Sequence, residues 1–354
     1  MAQKVGHIPS LDGIRAVSFL LVFASHAGLG KYVPGGLGVT IFFFLSGFLI
    51  TSLMRSEYER YGALNLRHFW ARRALRILPP FYFVLIVASI VSPVAWAPVT
   101  AQLLHITNYW IIFHGYGGMP LGTGVYWSLS IEEHFYILFP WIFIALQRLT
   151  GRNQALVLYG ICALVLVWRT ILVFEFHPII DRTYMGTDTR VDSIIFGCAL
   201  AMWHNPVADQ LRLIEWRWKM VYVPAAIALL GICVAARNDS FRETSRYSVQ
   251  GIALTVIFIA AIRYPHWLPM RALNTKPLIF IGLLSYSLYL LHYAVIYSVQ
   301  RFCGNLDPIS QGVLALGISV TCAWIIYITI EKPSARLRRR LHENLSASGS
   351  GEAV

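Results

Sequence analysis

Charged residues are scarce in this chain. Asp, Glu, Lys and Arg make up only 13% of its 354 residues, whereas 57% are hydrophobic. Soluble domains usually carry about a quarter charged residues, so this composition excludes an ordinary soluble protein. Apolar segments run from about Leu11 to Lys332 with only short breaks, which leaves no room for a separate soluble domain. We therefore expect an all-α, multi-pass integral membrane protein of the cell inner (plasma) membrane.

Cysteine pairs and leader signals are also missing. The five cysteines are scattered and none forms a CxxC pair, so we predict neither a metal site nor a disulfide framework. Residues 1–10 are short and weakly basic, and no small-residue cleavage site follows the first apolar segment. We therefore expect no cleavable signal peptide.

The apolar segments predict about ten transmembrane helices, each near the ~20 residues that a bilayer crossing requires. The sixth and eighth are short for this role. The predicted spans are residues 11–30, 37–54, 79–98, 127–147, 155–175, 188–204, 218–236, 247–263, 277–300 and 311–331.

Acidic residues are few: 17 Asp and Glu stand against 29 Lys and Arg, a formal net charge of +12. Most basic residues lie in alternate loops, and the long opposite loop of residues 99–126 has none. The positive-inside rule then places both termini in the cytoplasm and explains the charge without nucleic acid. Residues 1–340 form a single transmembrane domain in this interpretation, and residues 341–354 form a flexible cytoplasmic tail. The loop 237–246, with Arg237, Arg242 and Arg246, is the exception to the pattern.

Two ionisable residues lie on one face of the first predicted helix. Arg15 and His26 are eleven residues apart, about three helical turns, which corresponds to roughly 16 Å along the axis. Asp12 is three residues before Arg15 and can pair with it. Ionisable side chains within a bilayer are costly and indicate a functional interior. An interfacial anchor for Arg15 and a hydrogen bond between helices for His26 are the structural alternatives.

The fourth predicted span opens with two carboxylates and an imidazole, Glu132, Glu133 and His134. Three ionisable groups in one span are hard to explain as packing. This span enters from the outer side, where the first span places His26. A carboxylate beside an imidazole can fix its tautomer and raise its basicity, so we predict that Glu132 orients His26.

An arginine run follows the second span. Arg72 and Arg73 lie four and three residues before Arg76, and this spacing predicts a shared face of a short helix. Pro79 and Pro80 are expected to end that helix before the third span. Arginine forks suit phosphate and pyrophosphate. Positive-inside topology with attraction to anionic lipid is the alternative explanation.

The remaining candidate residues are more ambiguous. Asp188 and Asp192 are four residues apart, flank Arg190 and are expected to share a face. Acceptor binding and ion pairing, for example with Arg169, are both open for them. Ser46 lies in a glycine-containing stretch that lets a helix or a ligand approach closely. His292 lies in the outer half of the ninth span, where a satisfied interior histidine is the alternative.

These residues, in this order and spacing, resemble the acyltransferase-3 family of integral membrane acyltransferases. The resemblance extends from about Ile8 to Arg336. Thr40 departs from the family pattern, since many relatives have an acidic residue there. Glu133 varies in type among relatives, which favours Glu132 as the catalytic carboxylate. The stretches that carry the resemblance are Leu11-Asp12-Gly13-Ile14-Arg15 with His26, residues 42–48, 72–77, 127–132, 188–190, 287–292 and 331–333.

The resemblance implies transfer of an acyl group, acetyl above all, from cytoplasmic acyl-CoA to a hydroxyl outside the membrane. The acceptor would be a carbohydrate or a glycosylated small molecule. Acyl-CoA is a co-substrate in this scheme, and no tightly bound cofactor is expected. The chain resembles the stand-alone members, because no extracellular esterase-like domain follows the tenth span. A homodimer is an open alternative to a monomer.

The predicted mechanism places the donor-binding residues on the cytoplasmic side of the membrane and the catalytic residues on the acceptor side. Arg72, Arg73 and Arg76 hold the coenzyme A phosphates, the pantetheine arm passes Arg15, and His26 removes the acceptor proton. A covalent acyl-histidine is the mechanistic alternative. The residues expected to support the acceptor side are Asp12, Ser46, Glu133, Asp188, Arg190, Asp192 and His292.

Two rival function classes remain. A proton-coupled transporter also carries interior charges on several helices. We find neither an inverted repeat nor matched Gly/Pro-broken helices, which such a carrier would favour. A lipid-binding scaffold would not need His26 together with Glu132.

Overall fold

The computed structural model describes residues 8–338. These residues form helices, turns and loops, and contain no strand. Arg339, Arg340 and the predicted cytoplasmic tail, residues 341–354, lie outside the described residues.

Most of the α-helices follow one another through short loops, and the longest connection without a helical turn is residues 203–214. In chain order they are α1 (Pro9–Ala24), α2 (Gly35–Tyr61), α3 (Leu66–Val91), α4 (Trp96–Leu103), α5 (Thr107–His114), α6 (Trp127–Leu146), α7 (Gly151–Ile171), α8 (Ile180–Met185), α9 (Thr187–Arg190), α10 (Asp192–Met202), α11 (Glu215–Arg217), α12 (Val223–Ala235), α13 (Asp239–Glu243), α14 (Arg246–Arg263), α15 (Leu268–Leu273), α16 (Lys276–Phe302) and α17 (Pro308–Ile326). The π-helical turns Leu172–Phe176 and Tyr327–Glu331 prolong α7 and α17, and Trp218–Tyr222 leads into α12. The turn Ser25–Leu29 follows α1 and is kinked, because Ala27 and Gly28 have non-helical backbone angles. The 3₁₀ turn Thr123–Tyr126 leads into α6.

Within residues 8–338, nine helical segments are long and apolar enough to cross a membrane. The predicted all-helical, multi-pass membrane architecture is therefore confirmed, with nine such segments rather than about ten. They are Pro9–Leu29, Gly35–Tyr61, Leu66–Val91, Thr123–Leu146, Gly151–Phe176, Glu215–Ala235, Arg246–Arg263, Lys276–Phe302 and Pro308–Arg338.

The sixth predicted span, residues 188–204, is wrong. A single turn residue, Val191, separates α9 from α10, and α10 has only 11 residues, fewer than the ~20 that a bilayer crossing requires. Every residue of α10 is buried, because the helix packs against α2, α7 and α14. Its continuous apolarity therefore reflects burial within protein rather than contact with lipid, a distinction that hydropathy alone does not make.

The third predicted span, residues 79–98, is displaced in the structure. Pro79 and Pro80 lie inside α3 instead of ending a helix before it, so the arginine run forms the first turns of the same helix. Prolines are tolerated in membrane helices where neighbouring groups satisfy the freed backbone. Close to these prolines, the hydroxyl of Tyr286 donates to the carbonyl oxygen of Ile77 at 2.8 Å, which links α16 to α3.

Glycines allow several of the helices to approach one another at backbone contact distance. Gly47 of α2 and Gly197 of α10 each face the backbone of the other helix, and an added Cβ would overlap the carbonyl oxygen of Ile194 or Phe44. Gly282 of α16 likewise meets the backbone of α1 at Asp12. This close packing runs α1 parallel to α16 and brings the C-terminal turn of α1 against the second half of α16.

Candidate active site

A narrow cavity of about 100 Å³ lies inside the helix bundle, between α1, α2, α3, α6 and α16. Its charged lining residues are Arg15, Arg73, Arg76 and Glu132, so three positive charges face one negative charge. Charged side chains around a cavity in an apolar bundle indicate a functional interior.

One face of α6 supplies three polar residues to this cavity. Ser128, Glu132 and Tyr136 all line it, and each is four residues from the next, which places them on one side of the helix. Glu133 is not among the lining residues. His134 lies on another side, where its Nδ1 is 2.8 Å from the hydroxyl of Thr187.

Glu132 is held by a chain of hydroxyl groups. The Tyr136 hydroxyl donates to Glu132 Oε2 at 2.9 Å, and the Ser46 hydroxyl lies 2.9 Å from the Tyr136 oxygen. Because the single phenolic proton is given to Glu132, Ser46 is the donor to Tyr136. The guanidinium of Arg73 lies 5.3 Å above the Tyr136 ring. Ser46 therefore belongs to the arginine cavity, next to Glu132.

The three arginines of the run do not share one environment. Arg72 forms an ion pair with Glu57 of α2 and is not part of the cavity lining. Arg73 and Arg76 face the cavity, and no carboxylate of residues 8–338 lies within ion-pairing distance of either. Successive residues on a helix point about 100° apart, so adjacent Arg72 and Arg73 cannot share one ligand face.

Arg15 is paired within its own helix. Its Nη1 donates to Asp12 Oδ1 at 2.5 Å, which confirms the predicted pairing. Arg15 lines the same cavity as Arg73 and Arg76.

His26 and His292 form a pair at the other end of α1. The Nδ1 atom of His26 is 2.9 Å from Nε2 of His292. The Nδ1 atom of His292 is 2.8 Å from the carbonyl oxygen of Tyr289. His292 is completely buried, whereas His26 is partly exposed.

These two hydrogen bonds fix the tautomers of both rings. A carbonyl oxygen only accepts, so the neutral His292 carries its proton on Nδ1 and presents an unprotonated Nε2. His26 must then donate from Nδ1, which leaves its own Nε2 with a free electron pair. That Nε2 makes no hydrogen bond to another residue of the described chain, and it is not among the fully buried polar atoms. The pair therefore presents a proton acceptor at His26.

The predicted orientation of His26 by Glu132 is wrong, because His292 takes the place of the carboxylate. Glu132 instead lines the cavity of Arg15, Arg73 and Arg76, which the sequence argument assigned to the opposite side of the membrane from it. Tyr289 connects the two groups: it lines the arginine cavity, and its ring centroid lies 5.5 Å from that of His292.

Asp188 and Asp192 form separate ion pairs rather than one acidic face. Asp192 accepts from Arg169 at 3.0 Å, and both side chains are completely buried. Asp188 pairs with Arg182 at 2.5 Å and also accepts from Trp168 at 2.7 Å. Burial alone would raise the pKa of Asp188, but these hydrogen bonds and the Arg182 charge outweigh it and lower that pKa below its ordinary value. Of the two alternatives for these residues, the structure shows ion pairing.

Arg190 is buried in an aromatic cage. Its guanidinium lies 3.7 Å from the centroid of Tyr247 and 5.4 Å from that of Tyr184. Nη2 donates to the Thr40 hydroxyl at 3.1 Å, while Nε and Nη1 have no hydrogen-bond partner among residues 8–338. Thr40 thus occupies the place where a carboxylate would meet this guanidinium.

Sequence reasoning missed two residues of the site. Tyr136 binds Glu132, and its signal was the four-residue spacing from Glu132 on α6. Tyr289 joins the cavity to the histidine pair and lies three residues before His292. Tyrosines are common in membrane helices, so neither spacing distinguishes a site residue from an ordinary packed aromatic ring.

A family model for an acyltransferase domain, that of the acyltransferase-3 family, matches residues 8–328. The chain belongs to this family. The match covers nearly all of the described helices and all of the residues around the cavity and the histidine pair. No solved structure matches the chain.

Among known proteins, the chain is similar to the peptidoglycan O-acetyltransferase OatA of Listeria monocytogenes, with 33% identity over 353 residues, covering 92% of this chain and 56% of that protein. It is also similar to the putative peptidoglycan O-acetyltransferase YrhL of Bacillus subtilis, with 33% identity over 94% of this chain and 55% of YrhL. A putative O-acetyltransferase of Staphylococcus aureus is 28% identical over 94% of this chain and 58% of its own length. The chain thus spans little more than half the length of these relatives.

Proposed function

We propose that the chain is a membrane O-acetyltransferase that uses cytoplasmic acetyl-coenzyme A to acetylate a hydroxyl of a cell-wall carbohydrate outside the plasma membrane. The observation that carries the proposal is the cavity with Arg73 and Arg76, which also contains Tyr289, the residue bonded to the histidine pair. Peptidoglycan as the acceptor class is supported by the names of two relatives.

The donor binds through Arg73 and Arg76, which have no carboxylate partner among residues 8–338. Arg73 and Arg76 offer planar guanidinium groups, which suit the phosphates of coenzyme A. They project from the first turns of α3, next to the basic segment after α2 that the positive-inside rule assigns to the cytoplasm. The acyl thioester then points along the cavity towards Tyr289.

The transfer step uses His26 as the base. Its free Nε2 takes the proton of the acceptor hydroxyl while that oxygen attacks the thioester carbonyl carbon. The attack forms the ester C–O bond, and collapse of the tetrahedral intermediate then breaks the C–S bond. The coenzyme A thiolate leaves and receives the proton back from His26, so no proton is gained or lost. His292 keeps the tautomer of His26 in the reactive form throughout.

Glu132 has a positioning role in this proposal. It holds the Tyr136 hydroxyl and balances part of the positive charge in the cavity. Without it, three arginines would share a low-dielectric space without a counter-charge from the cavity wall.

A direct test uses the purified full-length chain in vesicles, with radiolabelled acetyl-coenzyme A on one side and an impermeant peptidoglycan fragment on the other. We expect labelled ester on the fragment when the donor is at the cytoplasmic face. Transfer only when donor and acceptor share a side would contradict the transmembrane arrangement. A transporter would instead move solute and leave the thioester intact.

Arginine variants separate donor binding from topology. Arg73→Ala and Arg76→Ala should each weaken coenzyme A binding by about tenfold to a hundredfold, the value of a charge-assisted hydrogen bond. Arg67→Ala is the matched control, because Arg67 precedes them on α3, is exposed and does not line the cavity. Calorimetry with coenzyme A measures the difference. Equal binding by all three variants would show that the arginines serve topology only.

A further inference from the structure

A second cavity, of about 350 Å³, lies at the end of the bundle that carries His26. One wall is the loop between α1 and α2, and the other is formed by α13 and the adjoining ends of α12 and α14. This cavity shares no lining residue with the arginine cavity described above.

The lining of this second cavity is strongly basic. Four of its residues carry positive charge, and none is acidic. The four are Lys31, Arg237, Arg242 and Arg246. Three of them belong to the segment that breaks the positive-inside pattern, so membrane topology does not account for them.

The charges are only weakly compensated by neighbouring carboxylates. Asp239 lies 3.5 Å from Arg242, but this pair is exposed, with side-chain accessibilities of 43% and 81%. The Nη2 of Arg246 donates to the Tyr247 hydroxyl at 2.9 Å, while its buried Nε has no hydrogen-bond partner among residues 8–338. Arg246 therefore brings its positive charge to the cavity wall without a carboxylate partner among residues 8–338, and an anion bound in the cavity would balance that charge.

The cavity borders the turn that carries the proposed base, although His26 itself does not line it. Ser25, which immediately precedes His26, lines it together with the backbone of Gly35 and Gly36. The side chain of Tyr32, 76% exposed, stands at its rim. A molecule held here therefore lies next to the turn that carries His26.

We propose that this basic cavity binds an oxyanion, a carboxylate or a phosphate, carried by the acceptor carbohydrate. The proposal rests on the proposed function, since it gives the acceptor an anchor beside His26. An acidic glycan would be oriented by its charge, and its nearby hydroxyl would be presented to the base.

The experiment compares acceptors that differ only in charge. The acceptors are a disaccharide-peptide with free carboxylates, the same compound with its carboxylates converted to amides, and the amidated compound with a phosphate on the reducing sugar. We expect the parent chain to show a KM at least tenfold lower for one or both charged acceptors than for the neutral one. Which charged acceptor is preferred identifies the oxyanion.

The double variant Arg242→Gln/Arg246→Gln should raise the KM for the preferred charged acceptor by about tenfold to a hundredfold and leave that for the neutral acceptor unchanged. The KM for acetyl-coenzyme A should not change. Arg301→Gln is the matched control, since Arg301 is an exposed arginine in the last turn of α16, near the same end of the bundle and outside the cavity. Equal KM values for charged and neutral acceptors, or full discrimination retained by the double variant, would overturn the proposal.

A binding measurement keeps this test separate from the proposed activity. Equilibrium dialysis of the radiolabelled carboxylate and phosphate compounds against the parent and the double variant needs no turnover. Charge-dependent binding that the double variant loses would support the anion site even if neither compound were acetylated, an outcome that would contradict only the proposed function. Binding of the charged compounds that is unchanged in the double variant would overturn the anion site alone.

Discussion

The ring of His292 lies between an acceptor and a donor: its Nδ1 is 2.8 Å from the carbonyl oxygen of Tyr289, and its Nε2 is 2.9 Å from Nδ1 of His26. The first bond determines the second, because a proton held on Nδ1 leaves Nε2 able only to accept. His292 therefore occupies the place that a carboxylate takes in many base-orienting arrangements, but without a net charge.

His292→Ala should lower kcat by about 10²-fold or more, because His26 loses the partner that fixes its tautomer. His292→Gln should recover part of the rate, since its side-chain oxygen can still accept from His26 Nδ1. The KM for acetyl-coenzyme A should stay unchanged in both variants. Steady-state kinetics checks this, and equal loss in the two variants would indicate a packing role for His292 instead.

Glu132→Gln and Tyr136→Phe should have overlapping effects, because the two side chains are linked by one hydrogen bond. We expect each to reduce turnover roughly tenfold and the double variant to be little worse than the more severe single change. Glu133→Gln is the control, as Glu133 does not line the cavity. Fully additive losses would show that Glu132 and Tyr136 act independently.

Asp192→Asn should destabilise the fold by about 3–5 kcal/mol, because it leaves the fully buried Arg169 without its carboxylate. Replacing both partners with apolar residues, as in Arg169→Met/Asp192→Leu, should recover much of this loss. Thermal unfolding in detergent measures both. A mild effect of Asp192→Asn would mean that the hydrogen bonds from Arg169 to the Thr244 and Thr189 carbonyls are enough to stabilise the buried guanidinium.

Asp188 should make stability depend on pH. Its pKa is lowered in the folded state, so the ionised carboxylate stabilises the fold above its ordinary pKa, and this contribution is lost as the pH falls through the folded value. The midpoint of thermal unfolding should therefore fall on acidification from about pH 5 to pH 3 more steeply in the parent than in Asp188→Asn. Parallel curves would contradict a role for the Arg182 pair.

Residue patterns were sufficient to predict the helical membrane architecture and the Asp12–Arg15 pair, because the first follows from apolar helix-length segments and the second from helical spacing. They were not sufficient to predict which long-range partner each group takes. The link from His26 to His292 joins residues 266 positions apart, and it depends on how α1 packs along α16. The burial of α10 depends on three neighbouring helices in the same way.

The contact between Thr40 and Arg190 allows a test of how a buried guanidinium is stabilised in this protein. Arg190 is fully buried and donates to the Thr40 hydroxyl at 3.1 Å. Thr40→Val should lower the free energy of unfolding by about 1–3 kcal/mol, because another guanidinium nitrogen loses its acceptor. Thr40→Asp should raise it, since the desolvated cation gains a carboxylate at hydrogen-bonding distance. In an Arg190→Gln background the same Thr40→Asp change should instead destabilise, because the new carboxylate is buried without a cation. Stabilisation by Thr40→Asp in both backgrounds would show that another group compensates the carboxylate and that Thr40 does not act through Arg190.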